Sequence, residues 1–184
     1  FENRLSGTEL SRLARVLLEQ FIASYASPPP VIVLDVDDPE DPVHGAQEQA
    51  RYDGYDGGYC LMPLHLYEGL SGRLITTILK AKRFTGTPML AVLKRRVTHL
   101  RHAWPDTLVI FRGESHFAYP EVMQWIDQQP ALHYVTGLTS NAVLKELARE
   151  VVEQAQRAYA SSGRKVTRFH STRYQAQTWA RARR

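Results

Sequence analysis

Two apolar runs that end in carboxylates constrain this chain most: VIVLDVDDPED at 31–41 and TLVIFRGESHFAYPEV at 107–122. Val31–Leu34 and Leu108–Phe111 are continuous and rich in β-branched residues, as in strands covered on both faces. Alternation along a strand puts Asp35 and Asp37 on one face, roughly 7 Å apart. Two carboxylates so placed repel each other unless a cation lies near. In an open α/β sheet the carboxyl ends of adjacent parallel strands form the usual site. That rule brings Glu114, just after the second run, toward the Asp35–Asp37 cluster. Mg²⁺ or Mn²⁺ is the expected ion, because hard oxygen ligands from one or two carboxylates plus phosphate and water suit it. Two such ions can activate an attacking oxygen and stabilise a leaving one in phosphoryl transfer.

The rest of the chain supplies a frame for these runs. Residues 8–26 carry Leu10, Leu13, Ala14, Leu17, Leu18, Phe21 and Ile22 at helical spacing, and Pro28–Pro30 end that helix. A polar Gly- and Asp-rich loop fills 38–58. Strands are expected at 59–66 and 73–79, a helix at 87–104, a short helix at 119–128, a strand at 132–138 and a helix at 141–159. The tail from Lys165 to Trp179 alternates loosely and is expected to form strands. Three early strands followed by strand–helix alternation predict a mixed sheet flanked by helices, in the order of a ribonuclease H-like fold. The expected organisation is a helical segment over 1–30, an incomplete ribonuclease H-like core over 31–160 and the start of a β-rich insertion with a basic tail over 161–184.

Charge is divided along the chain. Between Asp35 and Glu68 the sequence holds Asp35, Asp37, Asp38, Glu40, Asp41, Glu48, Asp53, Asp56 and Glu68 against Arg51 alone. From Arg157 onward it has no Asp or Glu, but has Arg157, Arg164, Lys165, Arg168, Arg173, Arg181, Arg183 and Arg184. One segment attracts cations and the other polyanions, the pairing an enzyme working on nucleic acid with metal ions needs. The bland alternative is a solvated acidic loop, with Asp38 or Asp41 as a turn former, and a ragged basic end.

Other chemistries lack their signatures. The single cysteine, Cys60, excludes an internal disulfide framework and a cysteine zinc site, and reads as a small buried apolar residue. Pro39 falls at a ligand position of an EF-hand loop. There is no GxGxxG, no Walker loop and no GxSxG around Ser115. His44, His65 and His116 read first as structural histidines, with His65 in a strand as either a structural or a site-lining residue. Trp104, Trp125 and Trp179 read as packing residues, although Trp179 in the arginine tail is also placed to stack on a base. No stretch approaches the roughly 20 apolar residues of a membrane span, and a cytoplasmic, nucleoid-associated protein without a membrane partner is expected.

The segments LDVDDPEDPVHG, YCLMPLHLYEGLSG, HAWPDTLVIFRGESHFAYPEVMQWID and YVTGLTSN together resemble the DDE transposases of bacterial insertion sequences, and specifically their IS1380 group within the IS4-like superfamily. The likeness runs along essentially the whole chain. It implies a ribonuclease H-like core, Mg²⁺ held by two aspartates and a glutamate, cleavage and strand transfer at element ends, and double-stranded DNA as partner at both element ends and target. It also implies a homodimer on paired ends. The first acid of the family maps to Asp37, with Asp35 as the alternative. The second maps to Glu114 in the Arg112–Phe117 motif, where the family has aspartate. Pro39 stands where the family commonly has threonine. No residue matches the family's catalytic glutamate, so a truncated or excised, weakly active transposase is the expectation. The basic residues Arg164, Lys165, Arg168, Arg173, Arg181, Arg183 and Arg184 are the expected DNA contacts. The alternatives are a non-catalytic DNA-binding remnant and a different ribonuclease H-like nuclease.

Overall fold

The structure, a computed structural model, describes residues 6–45, 47–48, 50–54, 57–80 and 85–184. Asp56 of the acidic segment lies outside the described residues. The elements follow the order α1 (Gly7–Ala23), β1 (Val31–Asp37), β2 (Asp41–Pro42), β3 (Arg51–Asp53), β4 (Gly58–Leu61), β5 (Leu64–Glu68), β6 (Leu74–Ile78), α2 (Gly86–Ala103), β7 (Leu108–Gly113), α3 (Pro120–Ile126), β8 (Leu132–Thr136) and α4 (Ala142–Ser162). A 3₁₀ turn at Ser115–Phe117 links β7 to α3.

Five strands form one mixed sheet in the order β6-β5-β1-β7-β8. β1 pairs antiparallel with β5, and β5 with β6. On its other side β1 is parallel to β7, and β7 to β8. The topology follows from the connections. The short link from β5 to β6 allows only an antiparallel return, while α2 and α3 supply the crossovers that parallel strands require. The result is the mixed α/β sheet with flanking helices expected of a ribonuclease H-like fold.

Ile32, Leu34 and Val36 of β1 bury one face of the sheet with Val109 and Phe111 of β7. Leu18 and Phe21 from α1, Met89, Leu93, Val97 and Leu100 from α2, and Val122 and Ile126 from α3 complete that core. Deleting a fully buried leucine here, such as Leu34, costs about 2–5 kcal/mol. α1 starts in a capping box in which Ser6 and Glu9 satisfy each other's backbone N–H groups. Trp104 is buried and meets Phe21 and Tyr25 edge to face. Arg101 fastens the end of α2 to the carbonyls of Thr107, Ala131 (2.6 Å) and Pro130 (3.2 Å), ahead of β7 and β8.

Three local expectations differ from the structure. The run 59–66 is two strands, not one, because Pro63 cannot donate a ladder hydrogen bond and the chain changes sheets there. The polar stretch 38–58 is not all loop: β2 and β3 flank β4 in a small antiparallel sheet. The tail after α4 forms no strand beyond a single antiparallel bridge between Tyr174 and Arg183. Its alternation is too sparse in buried apolar residues to hold a ladder, and Phe169 is 95% exposed.

The chain divides into two compact units, Phe1–Gly137 and Leu138–Arg184. The second holds α4, capped by the Asn141 side chain on the Leu144 N–H (2.9 Å) and closed by Gly163 in the left-handed conformation. Among the described residues no helix is long and apolar enough to cross a membrane.

Candidate metal centre

Asp35, Asp37 and Glu114 line one open cleft of about 420 Å³, together with Val36, Tyr67, Arg112, Gly113 and Gly137. β1 carries the aspartates to its carboxyl end, and the parallel register Val36↔Gly113 sets Asp37 beside Glu114. The back of the cleft is closely packed. A Cβ on Gly113 would come within 2.8 Å of Val36 Cγ1, and one on Gly137 within 2.8 Å of the Ser115 nitrogen. Glycine at these two positions lets the backbones approach where the carboxylates emerge.

The three acids are not equivalent. Asp35 faces Arg112 across the register and accepts two hydrogen bonds, Arg112 Nε to Oδ1 (2.8 Å) and Nη2 to Oδ2 (2.5 Å). These bonds hold the Asp35 carboxyl below its ordinary value; partial burial opposes the shift, and the arginine charge adds to it. Asp37 and Glu114 are exposed, and Asp37 has no hydrogen-bond or ion-pair partner among the described residues. Among the described residues the Glu114 carboxylate has His116 Nδ1 alone, at 3.9 Å.

Behind the cleft lies a network that local sequence does not announce. Asp38, a turn former by its local sequence, is buried. Its Oδ2 accepts from Lys80 Nζ at 2.9 Å and its Oδ1 pairs with His116 Nε2 at 2.8 Å. Buried acids persist only when so paired. His116 is therefore satisfied by a carboxylate rather than by backbone, and it stands between Asp38 and Glu114. His65 hydrogen-bonds the Thr77 hydroxyl at 2.9 Å. The signal for this network in the sequence is Lys80, a cation just past the end of β6, but only the sheet register brings it to Asp38.

Among the described residues no three His, Cys, Asp or Glu side chains gather so as to hold a metal ion. Arg112 pairs with Asp35 and Lys80 with Asp38. What remains is a pair of hard carboxylates on one cleft, a donor set that fits a divalent ion completed by phosphate and water.

The basic residues expected to meet DNA lie in the second unit. Arg164, Lys165, Arg168, Arg173, Arg181 and Arg184 are exposed, while Arg183 is half-buried with its guanidinium 5.8 Å from the Trp179 ring centre. A broader groove in that unit is lined by apolar residues of α4, including Leu144, Leu147 and Val151, together with Glu146 and Glu153.

The sequence profile described as "Transposase DDE domain group 1" matches residues 1–184, the whole length. The chain belongs to this transposase family. Members of DDE families work with divalent metal ions, in keeping with the carboxylate cleft. No curated protein sequence matches the chain. Among solved structures, a piggyBac transposase synaptic complex with hairpin DNA is similar at a TM-score of 0.51 and 16% identity, covering 77% of this chain and 30% of that one. A simian T-cell lymphotropic virus intasome in complex with PP2A regulatory subunit B56 gamma is similar at a TM-score of 0.40 and 11% identity, covering 88% and 53%. The first shares the fold of this DDE domain. The transposase chain thus spans less than a third of the piggyBac chain it resembles.

Proposed function

We propose that this DDE domain cleaves and joins DNA phosphodiesters with Mg²⁺ or Mn²⁺ held by Asp37 and Glu114. The observation that carries the reading is the emergence of these two acids side by side from adjacent parallel strands into one cleft. A bound divalent ion supplies Lewis-acid stabilisation of charge at the phosphate. Asp37 and Glu114 bring the negative charge that attracts the ion. Arg112, half-exposed on the same cleft, adds a cation toward an incoming phosphate while it restrains Asp35. Asp35 is then a support for the site and Asp37 its first acid.

The arginine-rich tail after α4 holds DNA phosphates in this reading, and two copies act on paired element ends. The IS1380 group is the proposed subgroup, on the strength of the segments LDVDDPEDPVHG, YCLMPLHLYEGLSG, HAWPDTLVIFRGESHFAYPEVMQWID and YVTGLTSN. Glu114 in place of the family aspartate makes the domain a slow enzyme. The added methylene shifts the carboxylate by more than about 1 Å, and errors of that size cost about 10²-fold in rate.

Calorimetry with Mn²⁺, paired with a nicking assay on a terminal-repeat duplex, tests the proposal. The expected result is one or more Mn²⁺ sites in the wild-type chain, absent from Asp37→Ala together with any nicking. Nicking that survives Asp37→Ala would remove the site assignment. DNA binding with no metal binding at all would favour a non-catalytic DNA-binding domain instead.

A further inference from the structure

α2 carries Lys94, Arg95, Arg96 and Arg101 and contains no Asp or Glu. Arg101 is occupied by backbone carbonyls. The other three make no ion pair with a described carboxylate. Lys94 and Arg95 are exposed, as are Ala91, Thr98 and His102, and helical spacing puts these positions on one face. Arg96 flanks that face. Burial, and after it the Arg95 charge, lowers its pKa below the ordinary arginine value, and its buried Nε has no hydrogen-bond acceptor among the described residues.

A helix dipole accounts for cations in the last turn and no further. It covers Arg101 and His102 but not Lys94–Arg96, which sit mid-helix. Packing accounts for part of Lys94, whose ammonium lies 5.8 Å from the centre of the Trp125 ring. Nothing on the helix accounts for Arg95, which is exposed and pairs with no described carboxylate. A polyanion on this face supplies the missing counter-charge. From Lys94 to His102 the face runs about 12 Å, the length of three or four phosphates along one strand of duplex.

We propose that the outer face of α2, through Lys94 and Arg95 with Arg96 beside them, binds the phosphate backbone of duplex DNA as a surface separate from the carboxylate cleft. The inference rests on the reading of the domain as one that acts on DNA. The surface is set apart because no residue of α2 lines the carboxylate cleft. The binding is independent of sequence, since it reads phosphates and no bases.

The test is fluorescence anisotropy of the full chain on a fluorescent duplex of about 30 base pairs over about 50–200 mM salt, the range in which phosphate neutralisation shows its salt dependence. The double variant Lys94→Gln/Arg95→Gln is expected to bind about 5–30-fold more weakly, with a log–log salt slope shallower by about 1–2, near 0.9 for each phosphate that is no longer neutralised. Arg12→Gln/Arg15→Gln on α1, which removes the same formal charge, is the control and is expected to leave the slope nearly unchanged. An unaltered slope in the α2 variant overturns the proposal, and so does an equal change in the control, which would make the effect one of net charge. If the wild-type chain binds no duplex, both this surface and the DNA reading of the domain fall. If duplex binding holds but the α2 variant selectively loses single-stranded RNA, the assignment to DNA falls alone.

Discussion

Asp35 and Arg112 stand opposite each other in the parallel β1/β7 register and close a two-bond ion pair at the mouth of the carboxylate cleft. Both side chains are partly exposed, at 36% and 46%, so the pair adds at most about 1 kcal/mol to stability. Its effect on the site is larger than its effect on the fold. The guanidinium places a positive charge on the cleft that the proposed function assigns to a divalent ion, and it engages both Asp35 oxygens. Arg112→Gln is therefore expected to tighten Mn²⁺ binding by about 3–10-fold, about 0.7–1.4 kcal/mol, the scale of one nearby charge on a solvated surface. Asp35→Asn is expected to change Mn²⁺ affinity by less than about threefold, while Asp37→Ala abolishes binding. Calorimetry on the three variants checks both statements, and a loss of binding in Asp35→Asn would exchange the roles of the two aspartates.

Glu68 ties the fold's stability to pH on the acid side. Its buried carboxylate accepts from the N–H groups of Val33 (3.2 Å), Leu70 (3.2 Å) and Ser71 (2.6 Å), closing the turn into β6 and covering a β1 donor that no strand reaches. Burial works against its ionisation, but the bonds from Ser71, Val33 and Leu70 outweigh it and hold the carboxyl below its ordinary value. With a folded pKa below the unfolded one, Glu68 contributes stability that is complete above the unfolded value near about 4.3 and is lost as pH falls through the folded value. Asp35 acts in the same direction. Glu68→Gln is expected to cost about 1–3 kcal/mol at pH 7 and to flatten the acid limb of the stability profile. Urea denaturation at a series of pH values from about 7 to about 3 measures it; parallel profiles for wild type and variant would disprove the assignment.

Lys80 and Asp38 are the buried pair behind the cleft, with side chains 5% and 3% exposed. Removing Lys80 takes the permanent counter-charge from buried Asp38 and leaves it His116 as partner, and Lys80→Met is expected to destabilise the chain by about 3–5 kcal/mol. The double change Lys80→Met/Asp38→Leu is expected to recover part of that loss, because no buried charge then lacks its partner. Thermal or chemical denaturation of the two variants reads the difference.

The sequence discloses the elements that carry periodicity and conceals the pairings that depend on register. Val31–Leu34 and Leu108–Phe111 announce themselves as strands, and the proximity of Glu114 to Asp37 follows from a rule about parallel sheets. Pro63 is plain to see, yet alternation on both sides of it reads as one strand, because the change of sheet shows only in the pairing, Leu61 with Asp41 in the small sheet and Leu64 with Ile78 in the large one. β2 and β3 are two and three residues long, too short to show a period among glycines and aspartates. Asp38 follows Asp35 and Asp37 without any local mark of burial. Its partners are Lys80, 42 residues on, and His116, 78 residues on, and only the folded sheet brings them together. The Arg112 partner of Asp35, 77 residues away, is hidden for the same reason.

Glu114 offers the clearest test of what the cleft is for. It follows β7 directly, is exposed, and its carboxylate pairs, among the described residues, with His116 alone, at 3.9 Å. A structural residue in that position tolerates shortening by one methylene with little consequence, since surface changes away from buried groups stay within about 0.5 kcal/mol. A metal-bearing residue does not, because ligand position sets the geometry at the phosphate. Glu114→Asp restores the acid that the resembled insertion-sequence transposases carry at this point. It is expected to leave thermal stability unchanged and to raise metal-dependent nicking by about 10-fold or more, recovering part of the roughly 10²-fold cost of a misplaced carboxylate. Glu114→Gln keeps the length and removes the charge, and is expected to weaken Mn²⁺ binding without unfolding the chain. Nicking rates and Mn²⁺ titrations on both variants decide the matter: equal rates in wild type, Glu114→Asp and Glu114→Gln would mean that the carboxylate after β7 takes no part in the chemistry.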